Sequence, residues 1–356
     1  MSQAQELLPL RPQDIVCQDR EDWLTHRHEV IGASEAPTIL GCGYANQNQW
    51  SIWRGKTSPM FVESQEGEED EEDEEEGRFD KGLLKKMLIG TRMEPVLRTL
   101  FADEAGVEMF PDRPFTIRRH PEHQFMGATL DGLALHPEYG LIVGELKNVS
   151  AMNAGEWRDD EAPLKYEVQL QQQLAVTGCQ WGVLVGLIGG ETLVLRWRER
   201  NERFQELLLQ YLRRFWALVQ TGIPPAPDSA SITGKILQQM HPDDDGTVVA
   251  LPDEATLWHA TRTEMKALKK SAEEKIKQCD NALKMAIGDA TYGLLPDGSC
   301  YSWKTVERKG YVREVLPSKS RTLRDHKALP RGIIYQPPLP EVSEPVETAG
   351  LLTGVN

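Results

Sequence analysis

Two acidic residues and a lysine set the chemistry open to this chain. Val143-Gly144-Glu145-Leu146-Lys147-Asn148 reads as a buried strand ending in Glu-x-Lys. Residues two apart on a strand point to the same face, so Glu145 and Lys147 project together. Upstream, Asp131 closes the run Ala128-Thr129-Leu130, and the two runs can pair as a hairpin across the turn Leu135–Gly140. Two carboxylates and one lysine then meet at one spot. Carboxylates hold a divalent cation, and a lysine serves the attacking water or the phosphate. That is the minimum set for Mg²⁺-dependent hydrolysis of a phosphodiester. A lone Glu-x-Lys is weak, because charges alternate on many half-exposed strands. Asp131-Gly132 alone is ordinary turn chemistry. The apolar neighbours tip the balance: a carboxylate in such a strand is costly unless it is paired or binds metal.

The surrounding elements must bring these residues together. Residues 20–28 and 34–40 read as two short helices around Gly32. A helical pattern from about Leu83 to Ala105 places Leu84, Leu88, Leu97, Leu100 and Phe101 on one face, with Glu94 and then Pro95 inside it. That proline either starts a new first turn or kinks the helix. Strands are expected at about 107–118, 124–135 and 140–148. Pro163 stands at a helix start and Gly178 at its end, with Gln169, Gln171 and Gln173 between. Residues i and i+4 share a helix face, so Gln169 and Gln173 can both turn toward one site. Gln171 is the weaker candidate, and a plain polar face is the competing reading of the whole run. Runs 180–188 and 191–197 form a hairpin turning at Gly189-Gly190, and residues 201–220 a long amphipathic helix.

Pro224, Pro225 and Pro227 break the chain, and a domain boundary is placed there. Beyond it, Met265, Leu268, Ala272, Ile276, Cys279, Leu283 and Ala286 recur at steps of three and four, a narrow seam on a charged helix. A small β unit follows at about Gly293–Val315, with Pro296-Asp297-Gly298 as its turn and Tyr301, Trp303 and Tyr311 as contacts. Residues 336–356 read as a flexible tail. The organisation is thus a core over 1–222, a helical arm with a small β unit over 228–335, and the tail.

The net charge of −15 argues at first against a nucleic-acid substrate. Eleven of the acidic groups lie in residues 63–76, and without them the rest carries only −4. Residues 63–77 read as a solvated, disordered acidic insertion. A sharper alternative is a DNA mimic that gates a channel. A nuclease needs a locally basic channel, not a basic average. The five cysteines are scattered, with no Cys-x-x-Cys, which argues against disulfides, structural zinc and an iron–sulfur cluster. No run of about 18 apolar residues suggests a membrane span, and no secretion signal is evident. A cytoplasmic protein is the simplest reading.

At this point the chain resembles a known group. Glu94, Asp131, Glu145-Leu146-Lys147 and the glutamine helix are similar to the restriction-endonuclease-like PD-(D/E)xK nucleases, and more narrowly to the YqaJ-type viral recombinase family, relatives of the phage lambda-type alkaline exonucleases. Five segments over about residues 20–200 carry the likeness. They are Arg27 with Ile31-Gly32-Ala33-Ser34-Glu35; Gly90-Thr91-Arg92-Met93-Glu94-Pro95; Gly127 to Gly132; Gly144 to Lys147; and Tyr166 to Gln173. The resemblance implies an α/β fold with a mixed central sheet flanked by helices. It implies Mg²⁺, with Mn²⁺ as a substitute. Asp131, Glu145 and the Leu146 carbonyl would be metal ligands, Glu94 would reach a second metal, Lys147 would act on the water, and Gln169 would sit near them.

Arg27 and Ser34 would bind a terminal 5′ phosphate, with Thr129 close by. The physics fits, since guanidinium clamps phosphate and Ser34 reads as an N-cap of a helix beginning at Glu35. A surface arginine beside a capping serine is the plainer alternative. Trp157, after the Glu-x-Lys strand, is a candidate for stacking on a base, against a role in the core. The implied activity is 5′→3′ digestion of double-stranded DNA ends to 3′ single strands, with a single-strand annealing protein as partner and a homo-oligomer as assembly. An endonuclease or nickase of the same fold, or a non-catalytic DNA-binding protein, are the alternatives.

Overall fold

The computed structural model describes residues 6–44, 46–58, 74–307, 323–324 and 326, without the side chains of 74–84 and 87. The chain divides into two compact units, Met1–His241 and Pro242–Asn356.

Among the described residues the first unit has the strands β1 (Ile15–Val16), β2 (Ile31–Gly32), β3 (Met109–Phe110), β4 (Thr116–Arg119), β5 (Met126–Ala128), β6 (Gly132–His136), β7 (Gly140–Val149), β8 (Trp181–Ile188) and β9 (Thr192–Glu199). One sheet has the order β3-β6-β7-β8-β9 and a smaller one β1-β4-β5-β2. In the larger sheet β6 and β7 form the expected hairpin, with Gly132 opposite Gly144. β7 and β8 run parallel, and the other pairs are antiparallel. Parallel neighbours need a long crossover, and here a helix supplies it.

The α-helices of this unit among the described residues are α1 (Arg20–His26), α2 (Ala36–Ile39), α3 (Gln49–Thr57), α4 (Glu74–Ala105), α5 (Leu164–Thr177), α6 (Glu202–Thr221) and α7 (Ser231–Met240). The crossover helix is α5. Strand alternation splits β7 between two cores. Val143 and Val149 pack with Val168, Leu170 and Leu174 of α5 and with Leu208, Leu212 and Phe215 of α6. Ile142 and Leu146 pack on the opposite face with Leu97 and Phe101 of α4. The result is a mixed sheet covered by helices on both faces, the architecture the sequence reading expects. Glu145 and Lys147 share the parity of Val143, so they project toward α5. Gly132 and Gly144 let the Met109 side chain cross them closely, and a Cβ on either would push that side chain aside.

A buried ion network ties the N-terminal segment to the small sheet. Arg118 of β4 is fully buried. Its guanidinium donates to Asp112 at 2.6 and 2.9 Å, to Asp14 at 3.1 Å, and to the carbonyls of Leu8 and Pro9. Arg118→Ala would strand buried Asp112 without its cation and leave Asp14 with Arg11 alone, an expected loss of about 3–5 kcal/mol. Urea unfolding reads this directly, and a midpoint equal to wild type would show that the network contributes nothing.

Four sequence expectations are corrected. The proline segment is not a domain boundary: Asn48 donates to Asp228 at 2.7 Å and to Thr233 at 2.6 Å, Trp50 donates to the Ala226 carbonyl, and Ile236 is fully buried. Helix α7 therefore packs back on the first unit, and the division falls after His241. Prolines end helices whether or not a domain ends with them. Of the two readings of Pro95, a new first turn is excluded, since α4 runs on through it as one helix. Of its expected apolar face, Leu97 and Phe101 are buried whereas Leu88 is exposed. The acidic run lies outside the described residues except at its end, where Glu74 to Glu76 are helical and open α4 rather than forming a loop.

The second unit holds α8 (Glu254–Ile287) and the hairpin of β10 (Tyr292–Leu294) and β11 (Cys300–Ser302). Asp297 accepts from the Ser299 amide at 2.9 Å and shapes the expected turn. No residue of α8 is buried, and its seam residues Met265, Leu268 and Ile276 are exposed. Tyr311 and residues 336–356 lie outside the described residues. Among those described, no helix is long and apolar enough to cross a membrane.

Candidate active site

Asp131, Glu145 and Lys147 converge at the mouth of the β6–β7 hairpin. Asp131 immediately precedes β6, and its Oδ2 accepts the Leu146 amide at 2.9 Å, so the two carboxylate-bearing segments are bonded directly. The Asp131 carbonyl accepts from Arg98 of α4 at 2.8 Å. Glu145, only 1% exposed, accepts from Lys147 Nζ, from Gln169 Nε2 at 2.6 Å and from Gln173 Nε2 at 2.5 Å. Gln169 and Gln173 are one helical turn apart and close on the same carboxylate. Gln171 points away: it donates to the Glu199 carbonyl and accepts the Asn201 amide, joining α5 to the start of α6. Gln172 spans the parallel pair β2–β5, donating to the carbonyls of Ile31 and Gly127.

Electrostatics mark the place as unusual. Burial, and then the negative charge of Glu145, raise the Asp131 carboxyl to about 8. Burial opposes the charge on Lys147, but Glu145 and Asp131 outweigh it and hold the ammonium well above its ordinary value. Lys147 is therefore a fixed cation. Its Nζ lies 4.9 Å from the centre of the Tyr166 ring. Burial and then Tyr44 push the Tyr166 hydroxyl up to about 12.

Glu94 stands further out. Its carboxylate is 3.7 Å from Arg98, and burial raises its pKa, opposed by Arg98 and assisted by Glu145. Among the described residues no three His, Cys, Asp or Glu side chains are grouped to hold a metal. The carboxylates brought together here are those of Asp131 and Glu145, while Glu94 is paired with Arg98. One cation of the Mg²⁺ type fits the set. The oxygen donors are hard, and Mg²⁺ is commonly held by one or two carboxylates with waters and phosphate completing its shell. The Oε1 atoms of Gln169 and Gln173 are buried acceptors without a donor. Their amides cannot be turned, since each nitrogen faces a carboxylate. Water ligands of a cation are donors of the kind these oxygens lack.

The residues expected to take a terminal phosphate lie around the β2–β5 pair. Gly32 is opposite Gly127 in parallel register, so the segments bearing Ser34 and Thr129 leave at the same end. Gln173 Nε2 reaches the Thr129 carbonyl at 3.4 Å. Arg27 has its guanidinium 5.2 Å from the Trp23 ring centre and 3.6 Å from Glu35. The capping role of Ser34 is corrected: the N-cap of α2 is Glu35, with no side-chain cap bond, and α2 has four residues. So short a helix offers little dipole to an anion. Trp157 is also corrected. It is 3% exposed and its ring lies against Gly186, so it is a core residue and cannot stack on a base.

Three contacts were not read from the sequence. Lys56, buried in α3, pairs with Glu35 at 2.8 Å and donates to the Arg27 carbonyl at 2.9 Å, which anchors the Arg27 segment. Arg98 links α4 to Asp131. Tyr44 lies close enough for Lys147, Glu145 and Asp131 to act on its hydroxyl. Glu35, within the quoted Ile31-Gly32-Ala33-Ser34-Glu35 segment, and Arg98, a basic residue near the site in sequence, carried a signal.

The raised Asp131 carboxyl makes a stability prediction. In the folded state it keeps its proton up to about 8, whereas unfolded it ionises near 3.8. The folded state therefore binds the extra proton, and stability falls as pH rises between those values. Asp131→Asn removes that slope and still accepts the Leu146 amide. In EDTA, the variant should gain on wild type in thermal melts from pH 5 to 8, with the difference level above that. Parallel melting curves across pH would refute the assignment.

Comparison with known proteins follows the same lines. Residues 22–180 match the family described as the YqaJ-like viral recombinase domain. The uncharacterized protein YqaJ of Bacillus subtilis (strain 168) is 26% identical over 298 residues, covering 81% of this chain and 84% of its own. Among solved structures, the chain is similar to an alkaline exonuclease from Laribacter hongkongensis, with 17% identity, a TM-score of 0.44, and coverage of 62% of this chain and 100% of that one. A phage-related exonuclease from Haemophilus somnus 129PT gives 11% identity and a TM-score of 0.37, covering 60% and 96%. Every candidate site residue from Arg27 to Gln173 falls inside the segment, residues 22–180, that matches the YqaJ-like viral recombinase domain.

Proposed function

We propose that the protein is a divalent-metal-dependent deoxyribonuclease that digests double-stranded DNA from its ends, 5′→3′, and leaves 3′ single strands for recombination. The observation that carries this reading is the meeting of buried Asp131 and Glu145 with the cation of Lys147, inside the segment that matches a viral recombinase domain. Asp131, Glu145 and the Leu146 carbonyl would hold Mg²⁺ or Mn²⁺. A bound cation polarises the phosphate and lowers the pKa of a water. Lys147, fixed as a cation, donates to that water or to a phosphate oxygen and is not itself the base. Gln169 and Gln173 set the plane of the Glu145 carboxylate. Glu94, paired with Arg98 and near enough to feel the charge of Glu145, would reach a second cation. Arg27, Ser34 and Thr129 would take the terminal 5′ phosphate, with Trp23 and Glu35 orienting Arg27. The 3′ single strands produced are substrates for a strand-annealing protein, which is the class of partner this reading names. A homo-oligomer is part of the same proposal.

The end-binding part has its own test. Wild type should digest 5′-phosphorylated linear duplex faster than the 5′-hydroxyl form. Arg27→Ala removes a charge-assisted bond of about 1.5–3 kcal/mol, and should shrink that preference roughly ten- to a hundredfold. An unchanged preference in the variant would return Arg27 to a surface charge. Efficient linearisation of a supercoiled circle by wild type would favour the endonuclease instead.

A further inference from the structure

A second lysine stands beside the catalytic one. Lys165, in the first turn of α5, has its Nζ 5.3 Å from the ring centre of Tyr44 and 5.1 Å from that of Tyr166. Lys147 lies 4.9 Å from the same Tyr166 ring. The four side chains thus alternate as Lys147, Tyr166, Lys165 and Tyr44, and the row starts at Glu145. The two lysines differ in one respect. Lys147 is neutralised by Glu145, whereas Lys165 has no carboxylate partner among the described residues. Glu167, the acid in the same helical turn, is occupied by Arg198 at 2.8 Å. A lysine in the first turn of a 14-residue helix also works against the helix dipole, which favours anions there. Nothing in the local structure accounts for this charge. Aromatic faces hold an ammonium in place while leaving its N–H donors free for an anion.

We infer that Lys165, held between Tyr44 and Tyr166, binds a backbone phosphate of the DNA strand next to the phosphate being cleaved. The inference rests on the nuclease reading and adds to it a strand-tracking contact on the α5 side of the carboxylates. Lys165 is a binding residue here and takes no part in proton transfer.

The test separates binding from turnover. Affinity of the full chain for a dye-labelled duplex is measured by anisotropy in EDTA over a series of KCl concentrations. One lost phosphate contact lowers the slope of log K against log salt by about one, and weakens binding roughly tenfold near 0.1 M salt. Lys165→Ala should show both changes for every duplex sequence, and Lys165→Arg should restore them. With Mg²⁺, the loss in Lys165→Ala should fall on KM, the reverse of Lys147→Ala, where it falls on kcat. Tyr44→Ala, which removes one wall, should weaken binding with a smaller change in slope. A Lys165→Ala slope equal to wild type overturns the inference, as does a loss confined to kcat. Wild type serves as the control on the underlying reading. If it binds duplex without cleaving it, the nuclease reading fails and the salt slope alone decides the Lys165 contact. If it does not bind duplex, both fall.

Discussion

Asp131→Asn is expected to lose cleavage of duplex DNA by about a thousandfold or more while melting no lower than wild type. Replacing a group that merely orients a metal ligand typically costs 10- to 100-fold, so removing a ligand itself should cost more. The stability half follows from the site. The Asp131 carboxyl is raised to about 8 by burial and by Glu145, so ionising it costs the fold. Asparagine keeps the bond to the Leu146 amide and drops the charge. A variant that is dead and more stable above neutral pH is the signature of strain kept for function. Glu145 cannot be tested as cleanly. It accepts from Lys147, Gln169 and Gln173, so Glu145→Ala would strand three buried donors and confound activity with folding. Activity and melting temperature are measured on the same preparation. An active Asp131→Asn would remove this residue from the metal site.

Lys147→Ala carries the second large effect. Turnover should fall by about 10²–10⁴-fold, the range typical of a lost proton-handling or water-orienting group. Duplex affinity should change by less than about threefold, because the Lys147 charge is already neutralised by Glu145 and adds little net attraction for phosphate. The change costs stability, because buried Glu145 loses its cation and keeps only the neutral donors Gln169 and Gln173, so both quantities are measured at a temperature where the variant is folded. Single-turnover rates and anisotropy separate the two quantities. Equal losses in both would make Lys147 a phosphate contact and no more.

The parts of this site that were legible in the sequence are those governed by short periodicities. A period of two put Glu145 and Lys147 on one face, and a short turn brought Asp131 beside them. A spacing of four put Gln169 and Gln173 on one carboxylate and sent Gln171 elsewhere. What was not legible depends on tertiary closure. Ser34 looked like a cap, but the Glu35 carboxylate takes the Gly32 amide at 2.7 Å and pairs with Lys56, so the helix starts one residue later and stays short. Tyr44 and Lys165 are far apart in sequence, and no pattern links them before the chain folds. Trp157 follows a functional strand, yet Gly186 leaves the space that draws its ring into the core. The proline segment looked like a linker because proline marks the end of a helix, and it says nothing of where the next helix packs.

The most direct test of the account is one digestion experiment on the full chain. Linear 5′-phosphorylated duplex and covalently closed circular duplex are incubated with Mg²⁺ or with EDTA, and the products are resolved on denaturing and native gels. The account predicts that linear duplex is shortened from its 5′ ends with Mg²⁺ only, that 3′ single strands accumulate, and that the closed circle survives. Digestion that persists in EDTA, or linear duplex left intact with Mg²⁺ by a folded protein, would contradict it.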